Sequence, residues 1–202
     1  MQATRQPAVA GAFYPADPTQ LHRSVQAYLS AVIPRYHTLP KAIIAPHAGY
    51  IYSGPVAATV YKTLTAGRGV IRRVILMGPA HRVGFRGIAL SRAGIYVSPL
   101  GNIPVDQSAY ALLKDLPFVG FLDEAHAQEH SLEVHLPFLQ EVLGEFSLVP
   151  LVAGEATPEQ VSLVLERLWE DGASLLVISS DLSHYHDYAT AVSYTHLRAH
   201  ET

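Results

Sequence analysis

The chain has 202 residues, of which 49% are hydrophobic and 15% are charged, and its formal net charge is −3. This composition is typical of one globular domain and excludes a disordered chain. The balanced charge, without a run of Lys or Arg, argues against nucleic acid and anionic membranes as partners. No apolar stretch approaches the roughly 18 residues of a membrane span, and the N-terminus does not resemble a signal peptide. We therefore expect a cytoplasmic protein.

The first half of the chain alternates amphipathic segments with short apolar runs. A helical pattern begins after Asp17 and ends before Pro34, and an apolar strand is predicted over residues 42–45. Ser53 is predicted to cap the next helix, which leads to a second apolar strand over residues 74–77.

The same alternation continues to the end of the domain. Six further elements are predicted: an alternating segment near residues 87–91, a helix from Asp106 through Leu116, a helix from about Ser131 to Leu143, a strand near 148–152, a helix from Thr157 to Trp169 and a strand over 175–178. Together the elements predict a three-layer α/β domain, a mostly parallel central sheet with helices on both faces, over residues 1–191.

Three of the predicted strands run into turns that carry histidine. His47 follows the first strand, His81 follows the second, and Asp181 with His184 follows the last. Ligands of such sheets bind beyond the carboxyl ends of the strands, so these side chains are expected at one edge. A single histidine in such a turn can also be just a hydrogen-bonded loop residue. Two neutral imidazoles at neighbouring strand ends, however, are the beginning of a first-row metal site, with His47 and His81 as ligands.

The carboxylate and imidazole after the last strand suggest proton chemistry. Asp181 can orient an imidazole and fix its tautomer, whereas His184 can act as a general acid or base. Asp181 can equally cap a following helix, and the two roles are compatible. Tyr14, Tyr50 and Tyr52 either line the pocket or pack in the core or on the surface.

Residues 129–135 form the densest group of titratable side chains. Glu129 and His130 are expected to be loop residues that reach the pocket, whereas Glu133 and His135 are expected on a solvated helix face. On one helix His130 and His135 would lie about 140° apart, so both cannot face one metal ion. His126 has helical spacing to His130, but the residues between them show no apolar period that predicts a helix.

The last eleven residues, 192–202, fit neither a helical nor a strand pattern. They resemble the translation of a transposase-end adapter used in sequencing libraries. In that reading frame the first two bases of the adapter complete a codon for Ala, Ser, Pro or Thr, and residue 191 is Ala. We expect residues 192–202 to be non-native, so His196 and His200 carry no functional weight.

Five ordered motifs resemble the Memo family, labelled AmmeMemoRadiSam system protein B in prokaryotes. They span Arg5–Pro15, Pro46–Gly54, Gly78–His81, Glu129–Glu133 and Ser179–Tyr185. The resemblance implies a fold similar to the class III extradiol dioxygenases, which cleave rings with non-heme Fe(II), and here incomplete at the C-terminus. It also implies that His47 and His81 hold the metal and that Asp181 and His184 line the same pocket.

The chain departs from the family at one position. The third residue at the metal is a cysteine near the C-terminus of the family's proteins, and this chain has no cysteine. The expected loss of the native sequence after Ala191 accounts for that difference. The family label further implies a radical-SAM protein as a system partner.

Three functions fit these observations. The first is a non-heme metal-dependent oxidoreductase acting on an unidentified small molecule, with a divalent metal expected to be Fe(II) and copper or zinc as alternatives. The second is a non-catalytic metal- or ligand-binding scaffold on a dioxygenase-like fold. The third, a zinc hydrolase, would use Glu129 or His184 as the base beside an activated water.

Overall fold

The computed structural model describes residues 3–33, 38–169, 173–181, 186–187 and 189–193. Nine strands are found in these ranges: β1 (Thr4–Arg5), β2 (Ala42–Ala45), β3 (Arg73–Pro79), β4 (Ile88–Leu90), β5 (Ile95–Ser98), β6 (Gly101–Pro104), β7 (Val119–Phe121), β8 (Ser147–Ala153) and β9 (Ser174–Ser179). Six of them form the main sheet in the order β2-β9-β3-β8-β4-β7.

The centre of the main sheet is parallel. Strands β2, β9, β3 and β8 run in the same direction, β4 is antiparallel to β8, and β7 is parallel to β4. Strands β3 and β8 are each buried at five consecutive positions. A strand buried without alternation is covered on both faces, which is usual for parallel sheets with flanking helices. The predicted mixed α/β architecture with a mostly parallel sheet is therefore confirmed.

Six α-helices surround the sheet in the described part of the chain: α1 (Pro18–Ser30), α2 (Tyr50–Tyr61), α3 (Asp123–Ala127), α4 (His130–Glu133), α5 (Leu136–Leu143) and α6 (Pro158–Leu168). Helices α1, α2 and α5 pack against one another, whereas α6 packs against a 3-10 turn at Gln107–Leu113. As predicted, helices begin next to Asp17 and Thr157. Asp17 caps α1, and Thr157 caps α6 in a reciprocal capping box with Gln160. None of the helices in the described ranges is long and apolar enough to cross a membrane.

The start of α2 differs from the prediction. The helix begins at Tyr50, and Ser53 lies inside it with its hydroxyl donating to Ala48 O at 2.7 Å, so Ser53 is not the cap. The N–H of Tyr50 donates instead to Phe13 O at 2.8 Å, and the N–H groups of Tyr52 and Ser53 donate to Gly49 O. A backbone carbonyl of the N-terminal segment thus accepts an N–H group at the start of α2, where a side-chain cap was expected.

The single helix predicted over residues 131–143 is divided into α4 and α5. Pro137 has no N–H group, so it cannot complete the helical hydrogen bond to the carbonyl of Glu133. The chain therefore leaves the helical pattern at Val134 and resumes it at Leu136. Because of this break, α4 is a separate turn that can lie at the strand ends.

Three other elements were not predicted correctly. Residues 123–127 form α3 although they lack an apolar period, and the helix expected through Leu116 is the 3-10 turn ending at Leu113, capped by Asp106 as expected. A second sheet joins β1, β5 and β6, pairing the N-terminal segment with residues 95–104. Strands of two to four residues carry too little alternation to be recognised from sequence.

Candidate metal centre

Three neighbouring strands, β2, β9 and β3, bring the candidate side chains to one edge of the sheet. His47 follows the end of β2, Asp181 follows β9, and His81 follows β3, each by two residues. Because these strands are adjacent and parallel, their carboxyl ends meet at the same place. Helix α4 reaches the same edge and adds His130 to the group.

The three imidazoles form a compact cluster. His47, His81 and His130 each offer a ligand atom, and these atoms lie within 4.8 Å of one another. The ring centroids of His81 and His130 are 4.6 Å apart in a stacked arrangement, and His47 lies 5.1 and 5.6 Å from them. His47 is buried, whereas His81 is exposed, so the cluster is open to the outside on the side of β3.

Glu129 orients His81. Its Oε1 accepts the Nδ1–H of His81 at 2.8 Å, its Oε2 accepts the backbone N–H of His81 at 2.6 Å, and its Oε1 also accepts the N–H groups of His130 and Ser131. Burial raises the pKa of this carboxyl, but these hydrogen bonds outweigh burial and the pKa of Glu129 is lowered. An ionised carboxylate only accepts, so Nδ1 of His81 carries a proton, and in the neutral form of this ring the lone pair is on Nε2.

His47 has the same tautomer for a different reason. Its Nδ1 lies 2.7 Å from Ser179 Oγ, and the hydroxyl proton of Ser179 goes to Ser131 O at 2.6 Å. Ser179 Oγ therefore accepts the Nδ1–H of His47, which leaves the lone pair on Nε2. Asp181 holds the backbone of this turn, because its Oδ1 accepts the N–H of His47 at 2.7 Å, and its Oδ2 lies 3.7 Å from His47 Nε2.

His130 carries a buried ring nitrogen with no hydrogen-bond partner among the described residues. This atom, Nδ1, is 3.4 Å from Glu129 Oε1 without the geometry of a hydrogen bond. Burial lowers the pKa of His130, although the negative charge of Glu129 acts in the opposite direction. The neutral form is favoured as a result, and a neutral imidazole is the form that binds metal ions.

The donor set of this pocket fits a first-row divalent metal. Imidazole ligands suit zinc, copper, iron and nickel, and ligating histidines usually donate their second N–H to a carboxylate or another oxygen. His81 and His47 make those hydrogen bonds to Glu129 and Ser179. The buried, unpartnered Nδ1 of His130 is a further sign that protein contacts alone do not complete the cluster.

A family model described as Memo-like protein matches residues 5–200. The chain belongs to the Memo family. It is 38% identical to a MEMO1 family protein of Aquifex aeolicus, over 90% of this chain and 67% of the relative. It is 33% identical to a MEMO1 family protein of Thermotoga neapolitana, over 96% of this chain and 75% of the relative. It is also 34% identical to Protein MEMO1 of Mus musculus, over 90% of this chain and 63% of that protein.

Two residues of this Memo-family chain are placed differently from the sequence prediction. Glu133 and His135 were expected on a solvated helix face, but their exposed fractions are 0% and 1%. Glu133 is covered by the N-terminal segment: it pairs with Arg5 and accepts hydrogen bonds from Tyr14 and from two backbone N–H groups. His135 Nδ1 is 2.8 Å from the hydroxyl of Tyr61, and burial lowers the pKa of His135 to about 3.

Two of the three candidate tyrosines, Tyr14 and Tyr50, are buried, and Tyr52 is exposed. Tyr14 bonds to Glu133 Oε1 at 2.5 Å, and the buried Tyr50 donates to Val134 O at 2.7 Å while its ring packs against Phe138. Tyr52 is 77% exposed on the outer face of α2. The described contacts of Tyr50 are therefore those of a residue packed in the core.

Two residues of the candidate site were not fully assigned from the sequence. Ser179 was treated only as the end of a strand, and His130 was predicted to reach the pocket but was not assigned as a metal ligand. The sequence did contain a signal for Ser179. A serine at the carboxyl end of a parallel strand is expected at the same edge of the sheet as the histidine-bearing turns. His184 lies outside the described residues, as do residues 194–202, whereas residues 192 and 193 are helical together with residues 189–191.

Proposed function

We propose that this Memo-family protein holds one divalent metal ion, iron(II), at the strand ends through His47 and His81 and uses it in redox chemistry on a small molecule. The observation that carries the proposal is the matched tautomer of the two imidazoles. Each Nδ1–H is donated to an oxygen, of Glu129 or of Ser179, so each ring in its neutral form carries its lone pair on Nε2. This is the arrangement by which proteins orient histidine ligands.

A bound ferrous ion would supply a Lewis acid and one-electron redox chemistry, as in oxygenases of the dioxygenase-like fold that the family resemblance implies. The side chains around it would orient and protect it. Glu129 is buried and ionised, so it holds His81 in one orientation and adds negative charge near the ion. The ring of Phe13 lies 4.7 Å from that of His130 and shields this side from water.

Proton transfer at the site is proposed for Asp181 together with His184. The carboxylate of Asp181 lies 3.7 Å from His47 Nε2, so it is close enough to the ligand cluster to hold a proton for a bound substrate. For His184 the proposal rests on the Ser179–Tyr185 motif and on the family resemblance.

The three-histidine cluster also favours a second candidate, a zinc site. Three imidazoles with an open fourth position are one of the ligand sets of catalytic zinc, and Glu129 would be the nearby carboxylate. A scaffold that binds metal without catalysis uses the same geometry. These candidates differ in metal preference and in oxygen consumption.

The test is an anaerobic titration of metal-free protein with Fe(II) and with Zn(II), followed by measurement of oxygen uptake with catechol-type compounds. We expect one equivalent of Fe(II) to bind, and binding to be lost in His47→Ala and His81→Ala. His22→Ala is the matched control, because His22 is an exposed histidine paired with Glu141 outside the cluster. Absence of metal binding by the unmodified protein would refute the proposal, and binding without oxygen consumption would favour the scaffold.

Two further proposals concern the chain's context. We propose that residues 192–202 are not native, which sequencing of the gene through codon 191 would decide. A native cysteine downstream would supply the thiolate ligand that the family resemblance implies. The proposed radical-SAM partner would be tested by co-purification with the product of a neighbouring gene.

A further inference from the structure

Ser179 is the last residue of β9, lies between the two histidine-bearing strands β2 and β3, and is 3% exposed. We infer that Ser179 is a positioning residue of the metal site: its Oγ fixes the Nδ1–H tautomer of His47 and links this ligand to helix α4. The inference rests on the proposed metal-binding function for its purpose, but the tautomer itself is a property of the metal-free protein.

The direction of the hydrogen bonds follows from proton counting. A serine hydroxyl has one proton to donate, and the proton of Ser179 is directed to Ser131 O at 2.6 Å. The second contact of the same Oγ, to His47 Nδ1 at 2.7 Å, must then be one in which Oγ accepts. The proton of a neutral His47 is thereby on Nδ1, and Nε2 carries the lone pair that a metal ion requires.

The carbonyl of Ser131 is available to Ser179 because of the break between α4 and α5. The N–H of His135 would donate to Ser131 O in a continuous helix, but here it donates to Leu132 O at 3.3 Å. Pro137 causes this break, as described above. Pro137 therefore contributes to the site through the backbone, because the break that it causes leaves Ser131 O to accept from Ser179.

Ser131 extends the link to the strand that carries His81. Its hydroxyl donates to Pro79 O at 2.8 Å, at the end of β3. A Cβ atom at Gly78 would lie 2.8 Å from this hydroxyl, so only glycine leaves room for the contact. The two serines thus connect β9, α4 and β3, so that the elements bearing all three histidines are held in one hydrogen-bonded unit.

Removal of the Ser179 hydroxyl has a specific expected effect. A neutral histidine without a partner at Nδ1 prefers the Nε2–H tautomer, which would direct an N–H instead of a lone pair at the metal. Metal binding would then require the proton to move from Nε2 to Nδ1, and the ring of His47 would no longer be held in one orientation by a hydrogen bond. Loss of such an orienting partner typically weakens metal binding by 10- to 100-fold.

The primary test reads the tautomer without any metal. Protein with ¹⁵N-labelled histidine rings is prepared metal-free, and the ring nitrogens of His47 are assigned by their disappearance in His47→Gln. We expect the Nδ1–H pattern in the unmodified protein and the Nε2–H pattern in Ser179→Ala. The unmodified protein is decisive by itself: if its His47 is of the Nε2–H form, the inference is wrong, whether or not the alanine variant folds.

Two variants separate positioning from a general loss of packing. Ser98→Ala is the matched control, because Ser98 is also buried and its hydroxyl donates to Gln140 Oε1 at 2.5 Å, outside the metal cluster. Ser131→Ala removes the bond to Pro79 O but keeps the backbone carbonyl that accepts from Ser179. We expect both variants to keep the Nδ1–H tautomer of His47.

Metal titration completes the test. We expect Ser179→Ala to bind Co(II) 10- to 100-fold more weakly than the unmodified protein, with an altered visible spectrum, and Ser98→Ala to bind it normally. Equal affinity in Ser179→Ala and Ser98→Ala would overturn the positioning role. If the unmodified protein shows the Nδ1–H tautomer and Ser179→Ala loses it, but no metal binds, the proposed function fails and the assignment of the tautomer to Ser179 stands.

Discussion

Helix α4 lies between two polar clusters that handle buried charge in different ways. On one side is the core cluster of Glu133, Arg5, Tyr14 and His126, and on the other is the metal-site cluster around Glu129. In the core cluster Glu133 accepts hydrogen bonds from Arg5, from Tyr14 and from two backbone N–H groups. His126 uses both ring nitrogens, one toward the Tyr96 hydroxyl and one toward Ala89 O.

The metal-site cluster is incomplete in comparison. Glu129 is saturated by hydrogen bonds much as Glu133 is, but His130 keeps a buried Nδ1 without a partner in the described part of the chain. Folding rarely leaves a buried polar atom unpaired, because desolvation without a hydrogen bond costs about 1–3 kcal/mol. Buried atoms without a partner among the described residues also occur at His135 Nε2 and Tyr110 Oη in the core, so the atom at His130 points to a ligand only because it lies among two other imidazoles.

The largest expected effect is the loss of Glu133 from the core cluster. Glu133→Ala leaves the buried guanidinium of Arg5 without its counter-charge, which should lower the free energy of unfolding by about 3–5 kcal/mol. Urea denaturation monitored by circular dichroism measures the change. The control is Asp115→Ala, which breaks the exposed pair with Arg167 and should leave the midpoint unchanged. Similar midpoints for the two variants would contradict a structural role for the core cluster.

The next effect is a pH dependence of stability that comes from the buried histidines, of which His126 contributes one part and His135, with a pKa of about 3, another. Burial lowers the pKa of His126 from the usual histidine value of 6.5 to about 4, although its bond to Ala89 O acts in the opposite direction. Between these values the unfolded chain binds a proton that the folded chain does not. The stabilisation is thus complete above pH 6.5 and is lost as the pH falls toward 4, by about 3 kcal/mol in total.

Urea midpoints at pH 7.0, 6.0 and 5.0 measure this dependence on His126. His126→Asn should lower stability at pH 7 and flatten the slope, whereas His22→Asn, at an exposed histidine, should keep the slope of the unmodified protein. An unchanged slope in His126→Asn would show that another group dominates acid destabilisation.

A third prediction concerns the carboxylate of the metal-site cluster, Glu129. Glu129→Gln replaces an acceptor-only carboxylate with a group that also donates, so it can no longer serve both His81 contacts and the α4 N–H groups. We expect metal affinity to fall 10- to 100-fold in an Fe(II) titration. Glu141→Gln, whose carboxylate contacts His22 and Gln26, is the control and should bind metal normally.

The smallest predicted effect concerns one hydrogen bond of the core cluster. Tyr14→Phe removes the hydroxyl that donates to Glu133 Oε1 at 2.5 Å but keeps the ring. A hydrogen bond to a charged group contributes about 2 kcal/mol, and the loss should appear in urea unfolding without a change in metal affinity. Tyr52→Phe, at an exposed tyrosine, should change neither quantity. Weaker metal binding in Tyr14→Phe would mean that the two clusters are coupled through α4.

Much of the fold could be predicted because its signals are local. The apolar runs at residues 42–45, 74–77, 148–152 and 175–178 lie within β2, β3, β8 and β9. The caps at Asp17 and Thr157 act on helix ends within three residues of themselves. Alternation of these elements then favours a mostly parallel sheet, and a parallel sheet places the residues after its strands at one edge.

The errors concern residues whose environment comes from distant parts of the chain. Glu133 and His135 have a sequence spacing that is compatible with a solvated face, but Arg5 and Tyr14 cover Glu133 from more than 100 positions away. Residues 123–127 form a helix because tertiary contacts compensate for a weak intrinsic pattern, including the burial of His126 against β4.

The strands β2, β3, β8 and β9, their order along the chain and the positions of His47, His81 and Asp181 just after strand ends could therefore be read from the sequence alone. These features follow from hydrophobic periodicity and turn chemistry, which act over a few residues. Only the tertiary structure decided which histidines face the pocket, which are sealed in the core, and which tautomer each one adopts. That choice depends on single hydrogen bonds from Ser179, Glu129 and Tyr96, whose partners meet only when separate strands and helices pack together.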